Sequence, residues 1–169
     1  TWAYDGGVFT NQASHHIDLM QWFLGPIESV QCQATKRLLQ LEAEDTAAAI
    51  LKAKSGALGI FEATVCARPK DMEGSLSILG EKGSVVIGGV AVNQIIHWEF
   101  AETQPEDDVI HEEASHPVPN VYGNGHLHYL RDISEAILHD RPALVEGSEG
   151  RRNIEILTAL YESAASNGA

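Results

Sequence analysis

Between residues 28 and 100 the apolar side chains recur at every second position, and this period constrains the fold more than any other feature of the chain. Val30, Cys32 and Ala34 alternate with polar neighbours, and β-rich runs follow at 47–53, 58–66, 76–79, 85–87 and 95–98. Ser55-Gly56 and Gly80-Glu81-Lys82-Gly83 join successive runs by tight turns. Strands joined so closely must run antiparallel, because a parallel pair needs a long crossover. Around this sheet the period changes to that of a helix. Residues 10–24 place Ile17, Met20, Phe23 and Leu24 to one side, and Gly25-Pro26 stops them. Two more helices are expected at 125–139 and 148–163, the second capped by Ser148 and carrying Ile154, Leu157, Leu160 and Tyr161 at helical spacing. Residues 102–118 are acidic and contain proline, with a further strand expected around 109–113.

The expected class is therefore α+β: one domain over residues 1–169, a large, mostly antiparallel sheet of six or more strands, and helices on one face. The Ala47-Ala48-Ala49-Ile50-Leu51 run is apolar on both sides. Either these are central strands of one domain, or the open face is buried against another subunit.

Composition narrows the partners. With 44% hydrophobic and 21% charged residues in 169, the chain has the makings of a core and none of the signature of disorder. Its net charge of -13 repels nucleic acid and anionic membranes, so neither is an expected partner. No apolar run approaches the roughly 20 residues that span a bilayer, and a cytoplasmic location is the expectation. Cys32 and Cys66 are too few for a disulfide framework and read as reduced core residues. The opening Thr1-Trp2-Ala3-Tyr4-Asp5-Gly6-Gly7, with neither an initiator methionine nor a first strand, reads as a cut within a longer protein.

The densest chemistry lies in Asn11-Gln12-Ala13-Ser14-His15-His16-Ile17-Asp18. Side chains three and four apart share a helix face, so Asn11, His15, Asp18 and Trp22 form one stripe beside the apolar one. A histidine near a helix start is favoured in its neutral form, which makes His15 a candidate general base. The alternative is a surface histidine whose ring bonds to a neighbour. A metal site built from His15-His16, His126, His128 and Asp18 is disfavoured, because adjacent helical residues point about 100° apart. Gly123-Asn124-Gly125-His126 begins like a dinucleotide fingerprint but lacks the third glycine and the surrounding βαβ unit. It is either an ordinary turn or a helix entry whose amides, with Asn124, His126 and Tyr129, meet a ligand. Arg68 and Lys70 lie between two strands and are either solvated charges or readers of a carboxylate or phosphate.

Gly6-Gly7-Val8-Phe9-Thr10-Asn11-Gln12-Ala13-Ser14-His15-His16-Ile17-Asp18-Leu19, then Trp22-Phe23-Leu24-Gly25, resembles the segment that opens the second domain of the Gfo/Idh/MocA oxidoreductases, the glucose-fructose oxidoreductase and inositol dehydrogenase family. The resemblance continues through the Gly80-Glu81-Lys82-Gly83 turn to Ala159-Leu160-Tyr161-Glu162-Ser163-Ala164 and covers essentially the whole chain. It implies a substrate-side and oligomerisation domain, joined in the intact protein to a Rossmann domain that binds NAD or NADP and carries the catalytic lysine. It implies His15 as the catalytic histidine. Asn11 falls where many members carry an aspartate, so it would orient the ring or the substrate without supplying a charge.

Asn11, the Ser14-His15-His16-Ile17-Asp18 wording and Lys70-Asp71-Met72-Glu73-Gly74-Ser75 are most similar to UDP-N-acetylglucosaminuronate 3-dehydrogenases. These oxidise a sugar C3 hydroxyl during surface-polysaccharide synthesis. By that resemblance His15 and Asn11 are catalytic, and Asp18, Arg68, Lys70, Asn124 and His126 bind substrate, with no metal. The implied assembly is a homo-oligomer, dimer or tetramer, formed through the sheet. This chain alone is expected to be inactive. Two other readings stand beside it: the same chemistry on inositol, a free sugar or a trans-dihydrodiol, and a non-catalytic oligomerisation scaffold.

Overall fold

A computed structural model describes the chain except for the placement of residues 1, 3, 71, 73, 116, 119–122 and 124, and the side chains of residues 111 and 112. The described residues form two compact units, one of Thr1–Asp71 with Glu146–Ala169 and one of Met72–Val145.

In the first unit a π-helical turn over Phe9–Ala13 leads into α1 (Ser14–Leu24). β1 (Ile27–Thr35), β2 (Thr46–Ala53) and β3 (Leu58–Thr64) follow as an antiparallel sheet in that order. α4 (Gly147–Ala165) returns to the same unit. The register places Cys32 opposite Ala49 and Ala49 opposite Phe61, so a row of small and aromatic side chains runs across one face. That face is buried: Ala47, Ala49, Leu51 and Ala53 alternate with exposed Ala48, Ile50 and Lys52. α1 lies against β3 and α4 against β1. Phe9, Ile17, Leu51 and Leu160 are completely enclosed between them, each worth about 1.5–3 kcal/mol relative to exposure. Gly59 lets α1 approach closely: a Cβ there would come within 2.6 Å of the Met20 Cε, and the Met20 and Leu24 side chains would have to shift.

The helix expected from residue 10 ends where its sequence predicts. Gly25 takes a φ of 76° and donates its N–H to the Gln21 carbonyl at 2.9 Å. Phe23, expected on the packed side, is instead 44% exposed and stacks edge-on to Trp22. In α4 the buried stripe is Ile156, Leu157, Leu160 and Ser163, and Ile154 faces outward. Nor does Ser148 cap that helix. Its N-terminal boundary residue is Glu146, without a side-chain cap, and Ser148 already lies inside the first turn.

In the second unit β4 (Leu76–Leu79), β5 (Gly83–Gly88) and β6 (Gln94–Phe100) form another antiparallel sheet. α2 (Asp107–Ala114) and α3 (Gly125–Leu138) complete it. The strand expected near 109–113 is thus a helix. Asp107 decides it, accepting the Gln104 N–H at 2.7 Å and the Trp98 indole N–H at 2.8 Å, while Asp107 and Asp108 complement the positive end of the helix dipole.

The α+β class and the antiparallel order hold. The six described strands fall into two three-stranded sheets, where a single large sheet was expected. Cys32 lies in β1 and Cys66 just beyond β3; both are free thiols.

Candidate active site

The polar stripe read from the sequence exists and faces outward. Asn11 sits in the π-helical turn and His15 and Asp18 on α1; all three are exposed, as is Trp22. Asn11 accepts a hydrogen bond on its side-chain oxygen from the Gln12 amide at 2.7 Å, and its main-chain N–H bonds the Gly7 carbonyl at 3.1 Å. The ring of His15 and the carboxyl of Asp18 make no hydrogen bond among the described residues. The alternative of a surface histidine tied to a neighbour therefore has no bond to stand on. His15 lies beyond the first turn of the combined helical run, which starts with the π turn at Phe9.

His16, next to it, turns inward. Its Nε2 is buried without a hydrogen-bond partner, and burial, with the neighbouring His15, lowers its pKa from the ordinary histidine value. The two adjacent histidines thus differ in environment and do not form a chelating pair. Among the described residues no cluster of three or more His, Cys, Asp or Glu side chains is arranged to hold a metal ion.

The start of this segment is built by a residue that sequence reading did not single out. Glu44, just before β2, is 7% exposed. Its Oε1 accepts the Phe9 N–H at 3.1 Å and the Tyr161 hydroxyl at 2.9 Å, and its main-chain carbonyl accepts the Val8 N–H at 3.2 Å. Gly7 is explained by the same contact, and Gly6 by its backbone and Thr10. A Cβ on Gly7 would coincide with the Glu44 carboxylate, and Gly6 has a φ of 65° with Thr10 against it. Burial, with the Glu44 contact adding to it, raises the Tyr161 pKa above the ordinary phenol value. Phe9 packs edge-on against Tyr161 and stacks on Phe61. A carboxylate buried at this depth is uncommon unless paired, but its partners lie 35 and 117 positions away, so no local motif announces it.

Asp45, the next residue, serves a different loop. Its Oδ2 accepts the N–H groups of Arg37, Leu38 and Leu39 at 2.9–3.0 Å, and Oδ1 accepts the Thr46 hydroxyl at 3.1 Å. Those backbone bonds hold its carboxyl well below the usual carboxylate range.

The remaining expected residues are scattered. Arg68 and Lys70 are exposed in the loop after β3; Arg68 donates to the adjacent Ala67 carbonyl at 2.8 Å, and neither makes an ion pair among the described residues. His126 is exposed in the first turn of α3, in the second unit. Asn124 lies outside the described residues.

The profile described as "Oxidoreductase family, C-terminal alpha/beta domain", that of the Gfo/Idh/MocA proteins, matches residues 1–168. The chain belongs to this family. It superposes on the WlbA dehydrogenase from Bordetella pertussis, solved with NADH and UDP-GlcNAcA, with a TM-score of 0.90 and 43% identity over 98% of this chain and 48% of that one. The WlbA dehydrogenase from Chromobacterium violaceum, in complex with the same two molecules, gives 0.88 and 42% over 99% of this chain and 46% of that one. A levoglucosan dehydrogenase, at 21% identity and a TM-score of 0.78 over 96% of this chain and 49% of that one, shares the fold. No curated protein matches the chain at a comparable standard. The chain spans about half the length of the solved structures it matches.

Proposed function

We propose that this chain is the substrate-side domain of an NAD(P)-dependent dehydrogenase that oxidises the C3 hydroxyl of a UDP-N-acetylglucosaminuronate. The observation that carries the reading is the outward Asn11, His15 and Asp18 stripe, with its imidazole unengaged, in a chain 43% identical to a WlbA dehydrogenase holding NADH and UDP-GlcNAcA. A ring that accepts no internal hydrogen bond is available to a substrate hydroxyl. A dinucleotide fold is missing from the described residues: both sheets are antiparallel, with no βαβ unit. The cofactor accordingly belongs mainly to a domain outside this chain, and its nicotinamide supplies a hydride acceptor.

In this chain His15 takes the hydroxyl proton as the C–H hydride leaves carbon, so the alcohol loses one hydride and one proton and becomes a ketone. Asn11 orients the ring or the hydroxyl through its amide without adding charge. Asp18 binds a sugar hydroxyl, and Arg68 and Lys70 meet the uronate carboxylate or the diphosphate. Asn124 and His126 are proposed as further substrate contacts on the sequence alone. The outward side of the first sheet, with Ile50, Leu58 and Ile60 at 46%, 67% and 84% exposure, is proposed to seat a second copy of the chain in a homo-oligomer.

The test uses the full-length protein, dinucleotide domain included, with NAD or NADP and UDP-N-acetylglucosaminuronate, followed by the absorbance of reduced nicotinamide. A neutral UDP-sugar, inositol and a trans-dihydrodiol are the controls. Reduction with the uronate, and a fall of about 10²–10⁴-fold in turnover for His15→Ala in a folded protein, are the expected results. Activity with a control alone keeps the chemistry and discards the substrate. Silence with all of them favours the scaffold.

A further inference from the structure

Glu44 is an expensive way to build a turn. A carboxylate enclosed to this degree needs its lone pairs filled, yet Oε2 has no hydrogen-bond partner and lies in the space a Cβ on Gly7 would occupy. All of its bonds made through the side chain converge on Oε1, from the Phe9 N–H and the Tyr161 hydroxyl. The Val8 N–H is held by the main-chain carbonyl of the same residue. One residue of the sheet side thus pins two successive amides at the start of the π-helical turn, and a hydroxyl from α4 holds the carboxylate from behind. A π turn carries one more residue than an α turn, so its presence resets where the side chains on it and after it point. Asn11 lies within this turn and His15 two residues beyond its end.

We propose that Glu44, braced by Tyr161, is a positioning residue: it fixes the π turn that aims Asn11 and His15, and so governs turnover rather than substrate affinity. The inference rests on the reading of His15 as the proton acceptor. It goes beyond that reading by placing control of the imidazole in a buried carboxylate that touches neither substrate nor cofactor. A displacement of about 1 Å at a reacting group can cost about 10²-fold in rate without weakening binding, which is the range open to a loosened turn.

The experiment compares Glu44→Leu, Glu44→Gln and Tyr161→Phe in the full-length protein, measuring kcat, KM and amide hydrogen exchange in peptides covering residues 8–16. Glu44→Leu removes the acceptor, and we expect kcat to fall at least about tenfold with KM within about twofold. Exchange at 8–16 should accelerate while that of β1, β2 and β3 stays put. Glu44→Gln keeps an oxygen for the Phe9 N–H and should recover more than about half of the lost turnover. A Leu variant with normal kcat and normal exchange overturns the proposal, and so does a Gln variant as slow as Leu. If the Leu variant does not fold, Tyr161→Phe decides: about a threefold loss of kcat with faster exchange at 8–16 supports the brace, and no change in either overturns it. Were the unaltered protein inert toward the uronate, the substrate reading would fall, while the exchange comparison would still decide whether Glu44 holds the turn.

Discussion

The two units use similar sheets to different depths. Both consist of three antiparallel strands with helices, but the first encloses Phe9, Ile17, Leu51 and Leu160 completely, whereas the apolar side chains buried in the second, among the described residues, are Val85 and Ala136. Leu79, Ile96, Leu127, Leu130, Ile137 and Leu138 of the second unit are all more than half exposed. Apolar patterning alone does not make a core. In the first unit α1 and α4 both close on one sheet face. In the second, α3 presents most of its large side chains outward. The candidate base stands on the unit with the deep core, which fits the need to hold a reacting group against rigid support.

The sharpest way to break this contrast is a pair of truncations in the 169-residue chain, read by urea denaturation. Leu160→Ala, at a fully enclosed site, should cost about 2–5 kcal/mol. Ile137→Ala, at a site 76% exposed, should stay within about 0.5 kcal/mol. Equal losses would mean that the second unit has a core of its own.

Gly7→Ala comes next. Its Cβ would meet the Glu44 carboxylate, and about 1–3 kcal/mol of overpacking strain is expected. Gly25→Ala meets no neighbour, and its cost comes from the backbone: a φ of 76° with a ψ of -159° is a region nearly reserved for glycine, worth about 1–3 kcal/mol. If both cost the same and Glu44→Ala fails to relieve Gly7→Ala, the crowding account of Gly7 is wrong.

Titration separates the units more gently. His16 has a lowered pKa, so the unfolded chain binds the extra proton first, and stability should fall as pH drops below about 6.5. Cys32 and Tyr161 have raised pKa values, burial pushing the Cys32 thiol up to about 11. Their contribution is complete below the unfolded values and is lost as pH rises through the folded ones, so stability should fall again above about pH 9. All three groups lie in the first unit. A His16→Phe variant that kept the full acid slope between pH 5 and about 6.5 would remove histidine from the explanation.

The smallest effect is chemical. Iodoacetamide should label half-buried Cys66 well before Cys32, which is 2% exposed and has the raised pKa. Equal rates, followed by mass spectrometry, would show that the first sheet opens readily.

How much of this was legible depended on how local the cause was. The β-strands and the end of α1 were readable, because alternation and the Gly25-Pro26 stop act within a few residues. The Asn11, His15 and Asp18 stripe was readable for the same reason. The helix at Asp107–Ala114 was not, since its start depends on a bond from Trp98 to Asp107 across a turn. Nor was the outward turn of Ile154, which helical spacing alone assigns to the core. Glu44 was the least legible, because a charged residue next to a strand reads as solvated until its distant partners are known.

Glu44 and Asp45 are consecutive, yet one carboxylate serves the entry to the first helix and the other the loop from Arg37 to Leu39. Insertion of a single residue between Asp45 and Thr46 would slide both acids by one place and set each before the wrong set of amides. The distance from Glu44 to β2 thus serves as the ruler by which the Arg37–Leu39 loop and the helix start are kept in phase.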